Sequence, residues 1–392
     1  MSEKIYYNSP YTKKWSTKIT ELWEDEEKIY VTLEKTNFYP EGGGQPCDKG
    51  TIEGIKVIDV QLIQTKVVHQ LEKPPSKTEV DCIIDWQVRF DHMQQHTGQH
   101  LLSAVLYDLY AIPTTSFHLG KDHTTIDLKI EDLHKHQLVE MEQKCNALIN
   151  ENKKISTYFV TNKELKNIPL RKLPSVSEPI RIVEMEEIDF SACAGTHVKS
   201  TGELGLLKLI KTEKHRGQIR LFFLVGNRAM KDYQLSQQIL DQLSDLFQTN
   251  KQLLMDRIQK QEEEKKQLTK EMDKLKAENS KFLLDSIMSN QNSPLIRKSF
   301  TNKPLKDLQQ TAKEIVKEQK YIVLFSSTLE RKALLMHSGN YNFSCGDCFK
   351  QFLQAFNGKG GGNKTQAQAI FSSQEDLNDF LEKVQTEINT FI

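Results

Sequence analysis

Four side chains in two pairs carry the chemistry this sequence offers. His96 and His100 stand four apart in Gln94-Gln95-His96-Thr97-Gly98-Gln99-His100-Leu101-Leu102, and Cys193 and His197 stand four apart in Cys193-Ala194-Gly195-Thr196-His197. Helix positions i and i+4 share one face, so His96 and His100 can grip one ion together. Three imidazoles and one thiolate are borderline-soft ligands that suit Zn2+. A lone pair at this spacing is a common coincidence. Two such pairs in a chain with 11 His and 6 Cys point to one shared site. Four protein ligands close a tetrahedron, as in structural zinc sites, so catalysis would need ligand exchange or a fifth position. The ion is read either as a Lewis acid or as a clasp between the 96–100 helix and the 193–197 loop. No Glu or His stands in a motif that marks a general base, so the catalytic group is left unassigned.

The elements that must position these residues follow from periodicity. Residues 1–88 read as β-rich: Lys28–Leu33 alternates in the strand manner, and short segments at Thr51–Gly54 and Val57–Val60 are punctuated by turns. Gly42, Gly43 and Gly44 allow backbone shapes closed to other residues. Such a bulk-free loop could admit a ribose or a terminal adenine, or it could simply connect two strands. Asp91–Tyr110 is predicted to be a helix with an apolar stripe at Leu101, Leu102, Val105, Leu106 and Leu109. A second helix is predicted near 133–153. Strands are expected at Thr124–Ile130, Ile180–Glu184, Leu204–Ile210 and Gln218–Val225. From Ala229 to about Leu284 the chain is polar and helical, with a heptad-spaced apolar seam that argues a coiled coil, either an antiparallel hairpin within the chain or a dimer contact. Asn290–Pro294 breaks it, and a small α/β unit follows. The expected class is α+β: a β-barrel-like domain at 1–88, a zinc-containing α/β domain at 89–228, a coiled-coil linker at 229–290 and a small α/β domain at 291–392.

Composition bounds the partners. At 392 residues the chain has room for two or three domains, and 38% hydrophobic with 27% charged residues fits a soluble globular protein. No apolar run reaches bilayer length, and the first residues lack the apolar core of a signal peptide. Six irregularly spaced cysteines do not make a secreted disulfide framework, so a reducing cytoplasm and no membrane partner are expected. Cys345-Gly346-Asp347-Cys348 is read as structural thiols. Lys+Arg and Asp+Glu both number 53, which leaves no global basic field for nucleic acid. A local patch remains at Lys208, Lys211, Lys214, His215, Arg216, Arg220 and Arg228 against Glu213 alone. The plain alternative is an ordinary solvated hairpin.

Phe38-Tyr39-Pro40-Glu41-Gly42-Gly43-Gly44-Gln45-Pro46, the HTGQH run and Cys193-Ala194-Gly195-Thr196-His197-Val198 resemble, in the same order, the editing half of alanyl-tRNA synthetase and its stand-alone homologues. Gly358-Lys359-Gly360-Gly361-Gly362-Asn363 is similar to the glycine-rich signature of the DHH-associated domain that ends that synthetase. Ala194 stands where the family often carries Gly or Cys. The resemblance spans nearly the whole chain and implies an activity: deacylation of alanine tRNA mischarged with serine, with glycine as a second candidate. It implies Zn2+ on His96, His100, Cys193 and His197. Substrate contacts are expected from Thr36, Gly43, Gly44 and Gln45. Contacts to tRNA are expected from Lys359, Gly360, Gly361, Gly362 and Lys364, in the manner of a glycine-rich phosphate nest, and from Arg216 and Arg220. A homodimer through residues 235–284 or the C-terminal domain is a further expectation. Two other classes stay open: a non-catalytic tRNA-binding protein that keeps the fold, and a deacylase of another mischarged tRNA.

Overall fold

The computed structural model describes residues 2–171, 179–289, 291 and 293–392. The chain folds as two compact units, Met1–Leu243 and Ser244–Ile392. In the first, the strands Lys14–Asp25, Lys28–Leu33, Lys66–Leu71, Ile55–Ile63, Gly50–Ile52 and Glu79–Ile84 pair in that order into a closed barrel. Alternation drives it: Val31, Leu33, Val57, Val60, Val67, Val80 and Cys82 turn inward and form one buried cluster. The strand Lys28–Leu33 lies where its pattern predicts.

The Trp86–Tyr110 helix begins five residues before the predicted start at Asp91. Asp85 caps it by accepting from the Gln87 and Val88 amides at 3.1 and 3.3 Å. Ala111 ends it in the left-handed region. Every residue from His92 to Leu106 is buried, polar ones included. Leu101, Leu102, Val105 and Leu106 enter the main core with Met141, Cys145, Leu221 and Phe223. Thr114–Leu119, Thr124–Leu128, Gln218–Val225 and Leu207–His215 form a four-stranded antiparallel sheet beside it, and Ile155–Val160, Ile180–Met185 and Asp189–Ala192 form a three-stranded one. The helix predicted near 133–153 spans Lys135–Asn150. The strand expected to begin at Leu204 begins at Leu207, because Thr201–Leu204 is a 3-10 turn.

The helical stretch expected from Ala229 to about Leu284 is two helices, Asn227–Leu246 and Leu254–Met288. The apolar residues Ile239, Leu243 and Leu246 and those from Leu254 onward differ in heptad register by one position, and the change near Leu253 coincides with the break, where Asn250 caps a short 3-10 turn. Leu268, Met272, Leu275 and Phe282, which carry the seam, are 48–74% exposed. In the second unit, Leu295–Phe300, Ile322–Ser327, Lys332–His337, Gln366–Phe371 and Gly358–Gly362 form a five-stranded sheet in that order. The glycine-rich run is therefore neither a nest nor a flexible connection. It is an edge strand paired antiparallel with Gln366–Phe371. Side chains at Gly360 and Gly362 would collide with the backbone of that partner. No described helix is long and apolar enough to cross a membrane.

The barrel and the Trp86–Tyr110 helix are tied by a fully buried ion pair. Arg89 Nε donates to both Asp48 carboxylate oxygens at 2.9 and 3.0 Å, and its Nη2 meets Asp48 and the Asn37 carbonyl. Its Nη1 donates to the Pro10 carbonyl at 2.7 Å, and Asp48 also accepts from the Tyr39 amide at 2.6 Å. Removing one partner strands the other charge in the interior. Arg89→Met is expected to destabilise the first unit by about 3–5 kcal/mol in urea unfolding, and Arg89→Met with Asp48→Leu to recover much of the loss. A loss near zero in the single variant would show that the pair does not hold the two elements together.

Candidate metal centre

His96 and His100 project from one face of the Trp86–Tyr110 helix, one turn apart, with ring centroids 5.2 Å apart. Cys193 and His197 lie on the loop that leaves the strand Asp189–Ala192. One ligand atom from each of the four lies within 4.8 Å of the others. Cys193 Sγ stands 3.4 Å from Nε2 of both His96 and His197. Zinc–sulfur and zinc–nitrogen bonds of about 2.3 and 2.0–2.1 Å at a tetrahedral angle give an edge of roughly 3.6 Å. The donor set and its spacing therefore fit a borderline-soft divalent ion. His100 Nδ1 is buried with no hydrogen-bond partner among the described residues.

Each of two ligand rings is oriented through its other nitrogen. His96 Nδ1 lies 2.8 Å from Gln45 Oε1, and His197 Nδ1 lies 3.0 Å from Thr97 Oγ1. An Nδ1–H donating to these oxygens leaves Nε2 unprotonated and facing the thiol. Gln45 also accepts from the Thr196 amide at 3.1 Å and donates to Thr196 Oγ1 at 2.9 Å. Thr97 Oγ1 accepts from the Val198 amide at 3.2 Å. The helix and the loop are thus laced together on both sides of the cluster. Gly195 is required here, because a methyl group at that position would strike the His96 ring.

Burial is the main electrostatic influence. It lowers the affinity of His96 and His197 for protons well below the ordinary imidazole value, with the neighbouring rings and Arg181 adding to it. It brings His100 to about 3. These rings are neutral at pH 7 and offer lone pairs. Burial raises the Cys193 thiol, while the Gly195 amide and Arg181 act in the opposite direction.

Other candidates fall in varied places. Gln45 is fully buried, with both ends of its amide committed to His96 and Thr196. Thr36 is fully buried as well. Its hydroxyl stands 2.9 Å from His69 Nε2 and accepts from the Phe38 amide at 3.2 Å. Gly43 has φ 59° with open space where a side chain would sit, whereas a side chain at Gly44 would meet Phe117, whose ring stacks on His96. Four side chains of the basic patch are paired with acids, three of these from other elements. Lys208 meets Glu142, Lys211 meets Glu213, Arg220 holds Asp127 at 2.7 and 2.9 Å, and Arg228 holds Asp91. Arg216 lies in the hairpin turn with φ 50°. All six cysteines are free, and Cys345 and Cys348 are buried in and beneath the Cys345–Leu353 helix. The sequence reading missed Thr97, which sits inside the quoted motif, and Arg181, the one cation of the strand Ile180–Met185.

A helix and a loop that together present this buried set define a class, and the comparisons agree with it. The family described as Threonyl and Alanyl tRNA synthetase second additional domain matches residues 180–222, which include Cys193 and His197. The family tRNA synthetases class II (A) matches residues 4–89, and the DHHA1 domain matches residues 291–390. Alanyl-tRNA editing protein AlaX-L of Pyrococcus horikoshii is 30% identical over 412 residues, covering 99% of this chain and 100% of that protein. The alanine–tRNA ligase of Pyrococcus furiosus is 28% identical over 97% of this chain and 43% of its own. Alanyl-tRNA editing protein Aarsd1 of Bos taurus is 39% identical over 51% of this chain and 46% of its own. The chain belongs to the alanyl-tRNA editing protein family.

Two measurements test the centre. The purified chain is expected to hold about one transition-metal ion by elemental analysis, lost on replacing His96 and His100 together. Gln45→Leu removes the oxygen that orients His96 and should weaken metal affinity about 10–100-fold in a chelator competition. Full metal content in the double variant would place the ion elsewhere.

Proposed function

We propose that the chain hydrolyses the ester joining a wrong amino acid to alanine tRNA, acting in trans on tRNA charged elsewhere. The cluster of the buried His96, His100 and His197 with the half-buried Cys193 carries the reading, supported by membership of a family whose named relatives are alanyl-tRNA editing proteins. Serine is the chief error to be removed, and glycine the second candidate. A pocket shaped for alanine rejects an added hydroxyl only weakly, so a separate site must remove the product.

The ion that fits the three imidazoles and one thiolate is Zn2+, which when bound supplies a Lewis acid for a carbonyl or a water of lowered pKa. The protein's own groups do the positioning. Gln45 and Thr97 hold His96 and His197 in one orientation. Gly43 leaves open space beside the loop, where the terminal ribose of the substrate is placed in this reading. Thr36 acts through the buried bond that fixes His69 and the start of the FYPEGGGQ loop.

In the same reading the chain divides functionally at 1–88, 89–228, 229–290 and 291–392. The last of these grips tRNA through Lys359 and Lys364, which flank Gly360, Gly361 and Gly362 on an exposed edge strand, and Arg216 adds a contact from the first unit, where Arg220 is held by Asp127. The exposed heptad residues Leu268, Met272, Leu275 and Phe282 would serve a homodimer.

Three outcomes test this. Serine on alanine tRNA should be released quickly and alanine spared; equal rates for the two would end the editing assignment. Thr36→Val, nearly isosteric, leaves His69 Nε2 unpaired and should lower stability by about 1–3 kcal/mol in urea unfolding. A fragment ending at Leu243 keeps every candidate ligand and the cores of the first unit. It should retain most of the saturated single-turnover rate but need more tRNA for half-saturation, with a shallower salt dependence than the full chain. Equal half-saturation and equal salt slopes would remove tRNA binding from the second unit.

A further inference from the structure

Arg181 is the anomaly of the first unit. It sits on the central strand Ile180–Met185 and is 6% exposed. Its Nη1 donates to the carbonyls of Cys193 and Gly195 at 2.9 and 2.8 Å, which anchors the loop that presents the thiol. Its Nε and Nη2 are buried with no partner among the described residues. Arg89, Arg171, Arg220 and Arg228 each meet a carboxylate, at Asp48, Asp189, Asp127 and Asp91. Arg181 meets none among the described residues. Its strongest electrostatic neighbours are Cys193, Tyr7, Tyr39 and Tyr6.

Bracing the loop accounts for Nη1 and for nothing else. A buried guanidinium with two unpartnered nitrogens is costly, and such orphans persist where a ligand completes them. The free edge, Nε with Nη2, is the fork that binds phosphate oxygens in pairs. Its surroundings suit a nucleotide. The guanidinium lies 5.3 Å from the centroid of the half-buried Tyr7 ring. Tyr7 meets Phe159 edge-on at 5.7 Å, and Phe159 is 44% exposed. A buried cation thus connects to solvent through two aromatic rings, the combination on which a base stacks while its phosphate is held.

We propose that Arg181 is a substrate-binding residue whose Nε–Nη2 edge takes the phosphate of the tRNA's terminal nucleotide, with Tyr7 and Phe159 against the base. Tyr7 must turn aside to admit it, since both nitrogens are shielded in the free chain. The identity of the nucleotide rests on the deacylase reading, but the phosphate subsite can be measured without it.

The test titrates the full chain with AMP, adenosine and inorganic phosphate, followed by calorimetry and by the 31P resonance. AMP should bind at least tenfold more tightly than adenosine, and more tightly than phosphate alone. Arg181→Met should abolish the advantage over adenosine, Arg181→Lys should retain part of it, and Phe159→Ala should weaken AMP and adenosine alike while leaving their ratio. Should Arg181→Met fail to fold, the lysine and Phe159 variants still decide. Equal binding of AMP and adenosine by the wild-type chain overturns the proposal. An AMP advantage unchanged in Arg181→Lys and Arg181→Met, with only the saturated deacylation rate reduced, also overturns it and assigns the guanidinium to the reacting ester. An Arg181-dependent AMP advantage without deacylation would keep the subsite and refute the deacylase reading. Deacylation without that advantage would do the reverse.

Discussion

Arg89 is the contact on which the geometry of the centre depends. It is fully buried on the ligand helix, and its guanidinium reaches the N-terminal segment at Pro10, the loop residue Asn37 and the Asp48 carboxylate. Asp48 in turn fixes the Tyr39 amide. Both ends of the FYPEGGGQP loop are therefore tied to the first turn of the helix that, two turns later, presents His96. Gln45 of this loop reaches His96. A buried pair contributes little net stability over apolar residues of the same shape, but it fixes register, since a shifted helix would strand two charges.

From that anchor the site is built by closing polar pairs in the interior. A helix whose middle carries Gln94, Gln95, Thr97 and Gln99 should not be buried on every side, because each unmade bond costs about 1–3 kcal/mol. The bonds are made. Gln95 accepts from the Val225 amide at 3.1 Å and donates to the Val225 carbonyl at 2.7 Å, joining the helix to the four-stranded sheet. Gln94 donates to the Glu203 carbonyl at 2.8 Å. Gly98 lets the Val225 side chain come close, where a methyl group would collide. The three imidazoles are not equally fixed: Gln45 orients His96, Thr97 orients His197, and His100 Nδ1 has no partner.

The legible part of this was set by local pattern. Helical spacing put His96 and His100 on one face, alternation marked Lys28–Leu33, and the heptad slip near Leu253 marked the true break between helices. Residues acting across long separations were not legible. Arg89 and Asp48 are 41 residues apart, Gln45 and Thr196 are 151 apart, and nothing local distinguishes them from surface polar residues. The helix start was misplaced because Asp85 is one acid among several upstream, and only the bonds it accepts identify it as the cap. The glycine run was read as a phosphate nest, and glycine weakens strands, so nothing in its composition marked one. Gly360 and Gly362 are there for the opposite reason, a neighbouring strand too close for any side chain.

Charge explains why an RNA partner would need both units. The chain has no net charge, so no long-range field gathers a polyanion. In the Leu207–Val225 hairpin and just beyond it, Glu142, Glu213, Asp127 and Asp91 spend four of the basic side chains on internal pairs. What remains is sparse: Lys214 and Arg216 near the hairpin turn, and Lys359 and Lys364 about the glycine strand, none with an ion pair among the described residues. Each group alone supplies few phosphate contacts, and affinity built from few contacts is weak at physiological salt. Two weak sites on one chain act differently, since the first contact sets a local concentration for the second and multiplies their affinities.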